Sequence, residues 1–115
     1  MANINKLTVY HDALELVRDV SRITIDRGFG DLLNQAQRAA ISVASNIAEG
    51  TGLGSDAQLR KFLCIARGSA NELKTQLQIM QALGTLATNH SIIDLTDKVG
   101  RKLTRFIKHI ECGSG

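Results

Sequence analysis

The chain has 115 residues, a formal net charge of +3, 43% apolar and 22% charged residues, a globular composition that excludes intrinsic disorder. It has no proline, no tryptophan, one tyrosine and three phenylalanines, too little turn chemistry and aromatic alternation for a β-sandwich or barrel. The expected fold is all-α, an antiparallel up-down-up-down four-helix bundle. Residues 1–112 form one domain, and 113–115 read as a linker or cloning scar. No apolar run approaches the ~20 residues needed to cross a bilayer, and Met1 to Leu7 lack the apolar stretch of a secretory signal. Cys64 and Cys112 match no metal-ligand spacing, so a cytoplasmic protein with free thiols is expected.

The first helix is predicted from about Val9 to Arg27, because Ala13, Leu16, Val17, Val20, Ile23 and Thr24 share one face at three- and four-residue spacing. Gly28-Phe29-Gly30 ends it, and Asp31 is the expected N-cap of a second helix running to about Glu49. Leu33, Ala36, Ala40, Val43 and Ile47 face inward there, and many small residues allow close approach of a neighbour. Gly50 is read as the left-handed residue after the helix end. Ser55 and Gln58 form a capping box for a third helix that reaches about Leu83. Gly84 stops it, and Ser91 is expected to cap a fourth helix with Leu95, Val99, Leu103, Phe106, Ile107 and Ile110 on its apolar side.

These helices carry more apolar surface than one stripe each requires. On the third helix Ile65, Ile79 and Leu86 lie off the main stripe, as do Leu14 and Ile25 on the first. Such a surplus reads either as a broad core face with scattered exposed residues or as a homo-oligomer interface. The charge is also uneven: residues 1–57 carry −2 and residues 58–115 carry +5. Lys98, Arg101, Lys102, Arg105 and Lys108 form a basic stripe on the fourth helix, with Arg60, Lys61, Arg67 and Lys74 extending it. A solvated face near the C-terminal dipole would account for the stripe. Repeated around an oligomer, it would attract nucleic-acid phosphates without reading sequence.

No catalytic, metal or cofactor constellation stands out. His11, His90 and His109 are isolated, and Gly50 to Ser55 follows a helix and has no lysine after its last glycine, unlike a phosphate-binding loop. Cys64 reads as packing. A structural polar network of Arg38, Asn46, Glu49 and Glu72 is expected between the second and third helices, with Arg38 and Glu72 as a partly buried ion pair.

The run Gln37-Arg38-Ala39-Ala40-Ile41-Ser42-Val43-Ala44-Ser45-Asn46-Ile47-Ala48-Glu49-Gly50 resembles the central motif of the 23S rRNA intervening-sequence proteins. Phe62-Leu63-Cys64-Ile65-Ala66-Arg67-Gly68-Ser69-Ala70-Asn71-Glu72-Leu73 is similar to the third-helix motif of that family. The resemblance covers about residues 7 to 111 and implies a four-helix bundle assembling into a ring-like homopentamer. It also brings in the related accessory variability determinants of diversity-generating retroelements, positively charged bundles that bind a reverse transcriptase and nucleic acid. The motif positions carried over are Arg38, Ser42, Asn46, Glu49, Arg67, Ser69 and Glu72, none with a catalytic role.

The expected function is a non-catalytic, oligomeric protein that binds RNA or DNA and needs no cofactor, either an accessory subunit of a reverse transcriptase or an rRNA intervening-sequence protein. The alternative is a protein–protein scaffold that binds no nucleic acid.

Overall fold

The computed structural model describes residues 7–25, 28–88 and 90–113. Among them are four helices and no strand: α1 (Thr8–Ser21), α2 (Gly30–Thr51), α3 (Asp56–Ala82) and α4 (Ser91–Gly113). The protein is all-α. Each helix packs on two others, α1 and α3 each lying against α2 and α4. The resulting rod measures 49 × 21 × 20 Å. At ~1.5 Å per residue, α3 alone runs most of its length.

Local chemistry explains where the helices begin and end, and corrects several expected boundaries. α1 stops at Ser21, whose hydroxyl donates to the Arg18 carbonyl oxygen at 2.6 Å. It does not continue to Arg27, which lies outside the described residues. Ile23, Thr24 and Ile25 are consecutive β-branched residues, stiff at χ1 and disfavoured in a helix. Ile23 is nevertheless buried and Ile25 packs against the core, so the apolar periodicity outlasts the helix.

Asp31 is not the N-cap. α2 begins at Gly30 with Phe29 at the cap position, and Asp31 lies in the first turn, where its carboxylate favours the helix dipole and accepts from Gln35 Nε2 at 2.8 Å. Gly50 likewise does not terminate α2, which continues to Thr51. Among the described residues only Gly28 (φ 101°) and Gly84 (φ 75°) have positive φ. Gly50 is buried, and a Cβ built on it would stand 2.9 Å from the Phe62 Cβ and 3.3 Å from a Leu59 methyl. Its missing side chain lets α2 and α3 touch.

Ser55 caps α3, its hydroxyl accepting from the Gln58 N–H at 3.1 Å and donating to Gln58 Oε1 at 3.2 Å. At the other end Thr85 N–H donates to Met80 O at 2.9 Å and Gly84 N–H to Gln81 O at 3.1 Å. This is a Schellman motif with glycine in the left-handed position. For α4 the expected Ser91 cap is replaced by His90, whose Nδ1 accepts from the Ile92 N–H at 3.1 Å.

The core draws on all four helices, with Leu16, Val20, Val43, Ile47, Leu63, Leu73, Leu77, Met80, Ile92, Val99 and Leu103 fully buried. Small residues of α2 (Ala36, Ala39, Ala40, Ala44) let its neighbours come close. Two polar side chains are buried with them. Thr96 donates to the Ile92 carbonyl at 2.7 Å. Gln76 donates to Glu72 at 3.2 Å, but its Oε1 has no hydrogen-bond partner among the described residues. A buried unpaired acceptor costs on the order of 1–3 kcal/mol. Gln76→Leu should therefore raise stability by about 1–2 kcal/mol, read as a higher urea midpoint at unchanged m-value. A lower midpoint would show that the bond to Glu72 outweighs the unpaired oxygen.

No helix among the described residues is long and apolar enough to cross a membrane.

Candidate nucleic-acid interface

The nine cations of the basic face divide into two sets. One set is occupied within the chain. Asp12 on α1 accepts from Lys102 Nζ at 2.6 Å and lies 3.7 Å from Lys98 Nζ, while Lys102 also donates to the Thr8 hydroxyl at 2.9 Å. These contacts clip α4 to α1. Lys74 pairs with Asp97 at 2.8 Å. Arg60 holds Glu111 through Nε at 2.8 Å and Nη2 at 2.7 Å. That hydrogen bond, and the charge of the carboxylate, raise the Arg60 guanidinium above its ordinary range. The stripe is thus partly a set of internal fasteners.

The second set is Lys61, Arg67, Arg101, Arg105 and Lys108, which have no ion-pair partner among the described residues. Lys61 lies 5.9 Å from the Phe62 ring centroid, within cation–π range. Arg67, Arg101 and Arg105 line a groove of about 420 Å³ between α3 and α4, with Lys74, Asp97 and Gly100. Four cations face one carboxylate, a net charge of +3. A cleft lined by one sign of charge focuses the field and concentrates anions. Asn71 and Thr104, also on its walls, supply uncharged hydrogen-bonding groups.

Gly100 is a groove residue that sequence reasoning missed, as are Asp97 and Thr104. It sits inside α4, where glycine is less favourable than alanine by roughly 1 kcal/mol. Unlike Gly50, it has nothing within 4 Å of where a Cβ would lie. No packing within the protomer requires its missing side chain. A glycine in the middle of an otherwise good helix was the signal available in the sequence.

The expected polar network is rearranged. Arg38 and Glu72 are both exposed, and no ion pair joins them among the described residues; Glu72 accepts from Gln76 instead. The α2–α3 contact is made by Ser42 and Ser69, whose hydroxyls are 2.7 Å apart. Asn46 supports it by donating to the Ser42 carbonyl at 2.8 Å and hydroxyl at 3.1 Å. The expected buried pair does not form because both side chains lie on exposed helix faces, where neither is held out of water. Glu49 is exposed.

The apolar surplus is also redistributed. Leu86 is not surface but core, at 7% exposure, because the chain after Gly84 folds back over the end of α3. Leu14 and Ile25 are half-buried against the core. Ile65 and Ile79 are each 43% exposed, and two unanticipated residues join them, Ile41 at 54% and Leu83 at 46%. Leu14, Tyr10, Val17, Ile41 and Ala48 line a shallow apolar groove between α1 and α2.

Cys64 is half-buried and unpaired. No group of three or more His, Cys, Asp and Glu residues gathers in a metal-binding arrangement among the described residues.

The family model described as 23S rRNA-intervening sequence protein matches residues 5–105. The chain belongs to that family. The fold of this intervening-sequence family member is also that of a crystallised protein of unknown function from the S23 ribosomal protein family, from Bacteroides thetaiotaomicron VPI-5482. The two superpose with a TM-score of 0.78 at 22% identity, covering 88% of this chain and 96% of the other. No curated protein matches the chain.

Proposed function

We propose that this chain is a non-catalytic, oligomeric protein of the cytoplasm that binds RNA or DNA through phosphate contacts. The observation that carries the reading is the convergence of Arg67, Arg101 and Arg105 on one groove with no internal ion-pair partner among the described residues. Guanidinium groups present forked donors that match phosphate oxygens. With few aromatic residues in the chain, stacking on bases contributes little and binding follows charge.

The reading places these arginines on an antiparallel up-down-up-down bundle. Supporting contacts are Gly50 against Leu59 with Ser42 against Ser69, and Lys74 against Asp97 with Arg60 against Glu111. The assembly is a ring-like homopentamer in which exposed Ile41, Ile65, Ile79 and Leu83 supply apolar contact area. Copies of one groove around such a ring sum to a large positive field. One setting for this role is that of an rRNA intervening-sequence protein. An accessory role beside the reverse transcriptase of a diversity-generating retroelement is the other setting. The exposed isoleucines favour a second reading, a scaffold that docks proteins and binds no nucleic acid.

A gel shift with duplex RNA and duplex DNA of unrelated sequences, paired with a solution mass, tests the proposal. Binding should differ little among sequences and weaken at least about a hundredfold between 50 and 200 mM salt. The mass should be that of five chains. Absence of any shift at 50 mM salt would reject nucleic-acid binding in favour of the scaffold, and a monomer mass would reject the ring.

A further inference from the structure

We propose that the groove between α3 and α4 is a discrete phosphate-binding pocket, with Arg67, Arg101 and Arg105 as its ligands and Gly100 in its wall. The proposal deepens the nucleic-acid reading, on which it rests for the macromolecular source of the phosphate. A diffuse basic stripe needs only charge at the surface. The groove has in addition shape, with about 420 Å³ of space, room for roughly a dozen waters and within the range of ligand sites.

Gly100 gives the strongest indication. Its backbone forms part of the wall, and the space a side chain would occupy is open. A larger residue would strengthen α4 and fill the groove. What glycine preserves is depth beside three guanidinium groups. Lys74 and Asp97 neutralise each other across the groove at 2.8 Å, so the arginines supply its excess charge. Three guanidiniums suit a tetrahedral anion with several oxygens better than a planar carboxylate, which offers only two. Asn71 and Thr104 can add neutral hydrogen bonds. The ligand class is therefore a polyphosphate or phosphodiester, either free as a nucleotide or borne on a nucleic-acid strand.

Calorimetric titration of the full chain with sodium triphosphate, alongside a duplex RNA gel shift, tests the pocket. Wild type should bind one triphosphate per chain. Gly100→Leu should weaken that binding at least tenfold although it removes no charge, and its melting temperature should not fall, since leucine is the better helix former. If Gly100→Leu does not fold, Arg67→Gln reads the same loss. Loss of triphosphate and RNA binding together supports a pocket for strand phosphates. Loss of triphosphate binding in a protein that never shifts RNA supports a free-nucleotide pocket and overturns only the nucleic-acid reading. Wild-type triphosphate affinity in Gly100→Leu, or no triphosphate binding by the wild type, overturns the pocket and leaves the nucleic-acid reading standing. Lost triphosphate binding with wild-type RNA affinity supports a free-nucleotide pocket apart from the RNA contact. Tighter binding of hexaglutamate than of triphosphate overturns the pocket in favour of an acidic protein partner.

Discussion

Replacing Arg67, Arg101 and Arg105 together by glutamine should lower affinity for duplex DNA by at least about a hundredfold near 0.1 M salt. It should also flatten the salt dependence. Each phosphate neutralised contributes roughly 0.9 to the slope of log K against log salt, so losing three contacts should reduce its magnitude by roughly 2.7 per engaged protomer. The informative comparison is Lys98→Gln with Lys102→Gln, which removes two charges from α4, as many as the triple variant removes from that helix, its third arginine being on α3. Those lysines already share the Asp12 carboxylate, so their loss should leave the slope almost unchanged and appear instead as lower stability. Asp12, whose side chain is only 13% exposed, would then have lost both lysines, and an unpaired, mostly buried carboxylate is destabilising. Equal effects of the two variants on the slope would mean that total charge on α4 decides binding, rather than which cations are unoccupied.

Gly50 is the position where the smallest chemical change should have the largest structural effect. Gly50→Ala improves helix propensity by roughly 1 kcal/mol, and on an exposed helix it would stabilise. Here the new Cβ meets the Phe62 Cβ at 2.9 Å, an atom fixed to the α3 backbone that cannot rotate away. The helices must separate, and overpacking of this kind costs about 1–3 kcal/mol or more. The expected result is a net loss of about 1–2 kcal/mol for Gly50→Ala and about 3 kcal/mol for Gly50→Val, which adds two methyls and β-branching. Denaturant midpoints at constant m-value measure both. Phe62→Ala should not rescue the alanine variant, because it keeps the offending Cβ; Phe62→Gly should relieve it. Stabilisation by Gly50→Ala would mean that α2 and α3 have room to move apart freely.

Which features were legible in the sequence follows from how local their causes are. Ser55 with Gln58, and Gly84, could be read directly because a cap needs only its own turn. The end of α1 could not, since the apolar period ran on through Ile23 while the β-branched run Ile23-Thr24-Ile25 opposed the helix. Gly50 was misread because the glycines around it spell a turn, whereas its use is decided by Phe62 on the next helix. Leu86 was assigned to the surface because its place in the core depends on the chain folding back after Gly84.

At the candidate interface the identities of the cations were readable, and their occupancy was not. Nothing near Lys102 in the chain announces that Asp12 on α1 will hold it, or that Asp97 will take Lys74. Arg67, Arg101 and Arg105 were visible as basic residues, but their convergence needs the α3–α4 register. Gly100 acquires meaning only once that groove exists.

The length of the rod sets a scale for any linear ligand. A B-form duplex rises about 3.4 Å per base pair, so the 49 Å long axis spans roughly 14 base pairs, more than one helical turn. A duplex shorter than that can be accommodated on a single protomer. For the nucleic-acid binding proposed above, longer duplexes would extend past its ends toward a neighbouring copy, and cooperativity along a strand is then expected to begin at about one and a half turns of duplex.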